Sequence, residues 1–131
     1  MREAYGAQGT EKAVASGLEW LARQQQPDGH WKGPLVHTES GGDSTYSAGL
    51  TGLAVLAFLG EGHTPRSGAF APVVKRGLDW LAAEQKASGL VGPESGNYLY
   101  NHGIAALALL EAGLLLRDET LQTAAAMAIA F

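Results

Sequence analysis

The chain has 131 residues, with 9 Lys and Arg against 13 Asp and Glu, a formal net charge of −4 and no cysteine. Disulfides, thiolate metal centres and a cysteine nucleophile are therefore excluded, and the chain lacks the basic field that nucleic acid or an anionic membrane requires. With 46% hydrophobic and 17% charged residues it is expected to form one globular domain, unusually rich in glycine at 18 residues.

The elements follow in chain order. Met1 to Gly6 lacks the apolar run of a secretory signal. Thr10 followed by Glu11 suits a helix start, and Val14, Gly17, Leu18 and Leu21 share one face of a helix from about Glu11 to Gln25. Pro27-Asp28-Gly29 ends it, and a long loop over 33–43 follows, with Pro34, Gly41 and Gly42. A second helix, apolar nearly all round, is expected from about Thr45 to Leu59, then a connection through Gly60, Gly62, Pro65 and Gly68. Pro72 suits the first turn of a third helix reaching about Gln85. A fourth is expected from about Tyr98 to Leu116, and a fifth starts near Asp118 or Thr120. The apolar runs 48–59 and 104–116 are shorter than the roughly 18–20 residues a membrane span needs, so both read as buried helices. Alternating β-branched stretches are absent, so the expected class is all-α with no sheet.

The chain repeats itself. Gly17-Leu18-Glu19-Trp20-Leu21-Ala22 returns sixty positions on as Gly77-Leu78-Asp79-Trp80-Leu81-Ala82, with Gln25 matching Gln85 and Gly29 matching Gly89. Gly52-Leu53-Ala54-Val55-Leu56-Ala57 matches Gly103-Ile104-Ala105-Ala106-Leu107-Ala108 at an offset of 51. Continuing that offset sets Ala128-Ile129-Ala130-Phe131 where Gly77-Leu78-Asp79-Trp80 stood, as the start of a third copy. The expected organisation is a single unit over 1–131, with one repeat over about 10–69, a second over about 70–119 and a partial third over about 120–131. It reads as a piece of a longer repeat protein.

The repeated positions are Gly17, Trp20, Gln25, Gly29 and Trp31, then Gly77, Trp80, Gln85 and Gly89, with Val91 in place of a second terminal tryptophan. This pattern resembles the QW motif of squalene-hopene and oxidosqualene cyclases, in the prenyltransferase and squalene-oxidase repeat superfamily. The resemblance implies helical hairpins forming part of an α/α toroid, with the motif on outer helices and a cavity inside the inner ones. The motif residues are expected to be structural. Gly17 and Gly77 admit close packing, Gln25 and Gln85 satisfy backbone groups of an adjacent helix, Gly29 and Gly89 turn the chain, and Trp31 folds back over the glutamine. Trp20 and Trp80 are expected in equivalent buried positions.

The resembled enzymes act through an aspartate-rich acid run or a zinc site with cysteine. Here Asp43 is isolated, Asp118-Glu119 lies at a helix start, and cysteine is missing. No catalytic residue, cofactor or metal is implied; His30, His37 and His63 are expected to make ordinary loop contacts. The candidate cavity-facing residues are Asp43, Tyr46, Glu94, Tyr98, Tyr100 and His102, at the starts of the inner-type helices, where free N–H groups favour a polar ligand. Capping and packing, with His102 bonded to a backbone carbonyl, is the alternative role for this cluster. Two functions stay open: a non-catalytic binding or scaffold module of a larger bacterial protein, or part of a terpenoid cyclase-like enzyme whose acid lies elsewhere. The expected partner is a hydrophobic small molecule or a protein, with neither nucleic acid nor a transmembrane segment, and exposed helix faces are expected to self-associate.

Overall fold

The computed structural model describes residues 7–33, 36–37, 43–44, 46–94 and 98–131. They form five helices: α1 (Ala7–Gln24), α2 (Ser47–Gly60), α3 (Ala71–Ala83), α4 (Tyr98–Leu116) and α5 (Glu119–Ala130). A two-residue antiparallel pair, β1 (Val36–His37) with β2 (Asp43–Ser44), crosses the long first loop. The sequence does not announce it, and it is too short to form a layer, so the class is all-helical.

Helix ends follow local chemistry. α1 begins upstream of Thr10, which therefore lies inside the helix instead of capping it. Pro72 occupies the first turn of α3. Asp118 caps α5 by accepting a hydrogen bond from the Leu121 amide at 3.1 Å. Between α4 and α5 the Arg66 guanidinium donates to the Leu116 carbonyl at 2.9 Å, so a cation from the α2–α3 connection closes the C-terminus of α4.

α2 and α4 are the central pair, packed along each other, with α3 on α2, α5 on α4 and α1 at the outer edge of α2. Glycine sets how closely they cross. A Cβ at Gly52 would lie 3.1 Å from the backbone N and Cα of Ala105, and one at Gly49 would collide with the Asn101 side chain. The core between the helices is built from Val55, Phe58, Val74, Leu78, Leu81 and Leu109, all fully or nearly fully buried. By length and composition α4 is long and apolar enough to cross a membrane, at 19 residues and mean hydropathy 1.4, a test that the core helix of a globular protein also passes. Here 44% of its apolar window is buried, in contact with α2 and α5.

Candidate functional site

The repeated residues build two turns of the same design. After α1 the Gln26 amide donates to the His30 carbonyl at 2.8 Å and the Gly29 amide to Gln26 at 2.9 Å. After α3 the Lys86 amide donates to Leu90 at 2.8 Å and the Gly89 amide to Lys86 at 2.8 Å. Gly29 and Gly89 hold φ of 106° and 96°, where an L side chain is strained. Each also lies flush against a neighbouring helix: a Cβ would strike the Arg76 carbonyl of α3 in one case and the Met127 carbonyl of α5 in the other.

The two glutamines tie these turns to the same helices. Gln25 Nε2 donates to the Gly29 carbonyl at 3.0 Å and to Val73 of α3 at 2.9 Å. Gln85 Nε2 donates to the Gly89 carbonyl at 3.1 Å and to Ala124 of α5 at 2.8 Å. One amide group thus closes its own turn and clamps a neighbouring helix, α3 in the first case and α5 in the second. Gln25 Oε1 accepts from Arg76 Nη2 at 2.9 Å and Nε at 3.3 Å, an exposed addition.

Trp31 is buried, and its Nε1 donates to the Leu21 carbonyl at 2.8 Å, so the ring lies back over the end of α1. Its backbone amide donates to Thr51 Oγ1 at 3.0 Å. In the second turn the Val91 amide donates to His102 Nδ1 at 3.0 Å, and His102 Nε2 lies 2.9 Å from the Ala128 carbonyl. An imidazole accepting at Nδ1 carries its proton on Nε2, so both bonds are satisfied by that neutral tautomer. Sequence reading passed over Thr51, yet the offset of 51 that relates Gly52 to Gly103 also relates Thr51 to His102.

Two expectations fail. Trp20 and Trp80 are not equivalently buried: Trp20 is 56% exposed, whereas Trp80 is half-buried and stacked on His30 at 5.1 Å. The ring that covers Trp80 comes from the preceding turn, and among the described residues no such ring lies beside Trp20. Gly17 admits no close neighbour either; it is exposed, with nothing within 4 Å of a Cβ placed there. Gly77 is closely approached, but first by side chains: a Cβ there would lie 2.8 Å from Val55 Cγ2 and 3.2 Å from Trp31 Cζ3.

The candidate cavity residues divide. Tyr46 and Tyr100 come together at one end of a trough of about 450 Å³ between α2 and α4, lined also by Gly49, Leu50, Leu53, Asn101 and Ile104. Tyr100 is 72% exposed and Leu53 52%, so the trough is open to solvent along its length. Tyr98 is half-buried at the start of α4 and does not line it, His102 is committed to backbone on the α5 side, and Glu94 is exposed outside it. Asp43 pairs with His37 through the β1–β2 backbone, and its side chain lies outside the described residues. The lining thus offers apolar surface, two phenols and an amide. Those groups fit an apolar body with a hydrogen-bonding head.

Elsewhere, His63 packs edge-on against Phe70 at 5.0 Å and Phe58 at 6.4 Å. His30 bonds Asp28 through Nδ1. No group of three His, Asp or Glu side chains among the described residues is arranged to hold a metal. No family model matches the chain, and neither a curated protein nor a solved structure matches it.

Proposed function

We propose that this chain is a non-catalytic binding module of the prenyltransferase and squalene-oxidase repeat type, part of an α/α toroid, that takes an elongated apolar molecule in the α2–α4 trough. The observation that carries the binding role is the trough itself, apolar along its walls and ringed at one end by Tyr46, Tyr100 and Asn101. An apolar chain laid there would gain about 0.8 kcal/mol per buried methylene, and a terminal hydroxyl would find the exposed Tyr100 phenol as a partner. The repeat assignment is supported by the paired glutamine clamps, which join turn and next outer helix by the same two bonds in each copy.

Farnesol, titrated while intrinsic fluorescence is followed, tests the reading. Binding is expected, and Tyr100→Glu should weaken it at least about tenfold, because a carboxylate at the rim must be desolvated by the bound chain. Tyr100 is exposed, so this change should leave the thermal transition in place. Saturable binding unaltered by Tyr100→Glu, or no binding, refutes the trough as the site. Farnesyl diphosphate should be recovered unchanged; conversion above a heat-inactivated control would transfer the chain to the cyclase-like alternative.

A further inference from the structure

Matched positions in α2 and α4 are treated oppositely by the fold. Each helix carries the same pattern, a glycine followed five residues later by an alanine: Gly52 and Ala57 in α2, Gly103 and Ala108 in α4. In α2 the glycine is occupied, its Cβ position lying 3.0 Å from Ile104 Cγ2 and 3.1 Å from the backbone of Ala105. In α4 the glycine is exposed, with nothing within 4 Å. The alanines are reversed, Ala108 being 0% exposed and Ala57 exposed. Likewise Ile104 is half-buried at the crossing, while its match Leu53 is 52% exposed. The chain therefore uses one groove and one ridge internally and leaves the other groove and the other ridge bare.

The bare groove is real space. About 460 Å³ opens beside Gly103, floored by Ala106 and Leu110 of α4 and walled by Ile129 and Phe131 of α5. Ile129 is 65% exposed and Phe131 46%, so the wall lacks cover. We infer that this groove receives the Leu53–Ala57 ridge of α2 from a second copy of the chain, in a head-to-tail contact. The α2–α4 packing already present specifies the occupant, and the new contact continues it on the opposite face of α4. The side chain that fits the α2 groove is Ile104, with the buried Ala108 one turn on, and among the described residues the matched ridge is Leu53 and Ala57 of α2. Complementary faces on opposite sides of one molecule make a heterologous contact, so each copy can engage two others and the association is open-ended. This goes beyond the ligand reading: Leu53 belongs both to the ridge and to the trough lining, whereas Gly103 and Ala57 lie outside the trough, so substitutions at those two positions test the contact alone.

Two substitutions separate the faces. Gly103→Leu fills the groove at an exposed site with open space, and it should not lower stability, since leucine has better helix propensity than glycine. Ala57→Glu puts a charge on the ridge at an exposed helical position. By sedimentation velocity over a range of concentrations, the unaltered chain should rise above its monomer mass of 13.6 kDa. Each variant alone should remain at that mass, its self-association weakened about 100-fold, as expected for a blocked central contact. Mixed in equal amounts, the variants should form a 1:1 dimer and nothing larger, because each supplies the face the other lacks. Monomer at all concentrations for the unaltered chain refutes the proposal. So does a variant that still self-associates, which would mark a symmetric interface, and so does a mixture that stays monomeric. At concentrations where the unaltered chain is still monomeric, farnesol binding by Gly103→Leu should match it, so failure of either proposal is visible separately.

Discussion

Replacing Gln85 removes a single amide group that joins a turn to a helix, and the cost can be worked from its bonds. Nε2 makes two hydrogen bonds, at 3.1 Å to Gly89 and 2.8 Å to Ala124, from a half-buried position. With about 1 kcal/mol net for each bond, Gln85→Ala should cost about 2 kcal/mol. For a chain of this length the unfolding entropy makes that a fall of about 7 °C in Tm. Gln25→Ala should cost the same within about 0.5 kcal/mol, because its extra bonds to Arg76 are exposed and contribute little.

Gln85→Glu sharpens the test. A carboxylate cannot donate, so at neutral pH two carbonyl oxygens would face a third oxygen carrying negative charge. The loss should exceed that of Gln85→Ala, at about 3 kcal/mol. It should shrink as pH falls and the introduced acid gains a proton to donate. Calorimetry on the four proteins at two pH values is sufficient. A Gln85→Ala change within 0.5 kcal/mol of the unaltered chain, or a Gln85→Glu change harmless at neutral pH, would refute the clamp as a source of stability.

Gly17→Ala should stabilise by up to about 1 kcal/mol, since the site is an exposed helix interior with open space. Gly89→Ala should destabilise by more than about 2 kcal/mol, since φ is 96° and the new Cβ would meet the Met127 carbonyl; denaturant titration separates the two signs. His102→Ala should cost about 3 kcal/mol through two lost bonds and a cavity, and hydrogen exchange at the Val91 amide should accelerate more than at Trp31. Desolvation alone would raise the Asp28 carboxyl, but hydrogen bonds from the His30 ring and amide hold it below its ordinary 3.8. The stability from that lowering is present above the ordinary carboxylate range and lost as pH falls through the lowered value, so NMR should find Asp28 titrating below its ordinary 3.8, and His30→Ala should return it toward 3.8.

Local chemistry made most of the helices legible. Tyr98 to Leu116 matches the expected span, and α2 and α3 differ from theirs by about two residues at most, because Pro72, Gly60 and the apolar runs act on neighbouring backbone. The start of α1 was misread because Thr10 resembles a cap, while the helix-compatible residues before it extend the element to Ala7. Burial was harder to read. Trp20 and Trp80 stand in nearly the same local sequence, differing at Glu19 and Asp79, but a tryptophan is covered by what the chain brings to it, and only Trp80 receives His30. Tyr46 and Tyr100 were both singled out for their helix starts, yet their meeting at one trough depends on the close crossing that Gly49 and Gly52 allow. His102 carries the same lesson in reverse. A histidine beside two tyrosines suggested a pocket, whereas the buried amide of Val91 and the carbonyl of Ala128 claim both its nitrogens.

The two turns meet the same backbone demand with unlike side chains. The amide of residue 31 or 91 points into the interior and must have an acceptor, because an unpaired buried N–H is costly. A threonine hydroxyl supplies it in one case and an imidazole nitrogen in the other. The second turn lacks an indole to bond back to its helix, and Lys86 Nζ donates instead to the Gly92 carbonyl at 2.9 Å. Residue identity is therefore kept where only one chemistry works, at glycines with positive φ and at an amide donating twice, and is released where several donors or acceptors suffice. The stability of the unit is concentrated in these clamps and in the core around Phe58 and Leu109. Leu53, Leu107, Leu114 and Ile129 contribute little to it, being between 47% and 65% exposed. Folding does not consume that apolar surface, and much of it borders the trough and the groove, which leaves it free to be buried by a ligand or a second copy without any rearrangement of the core.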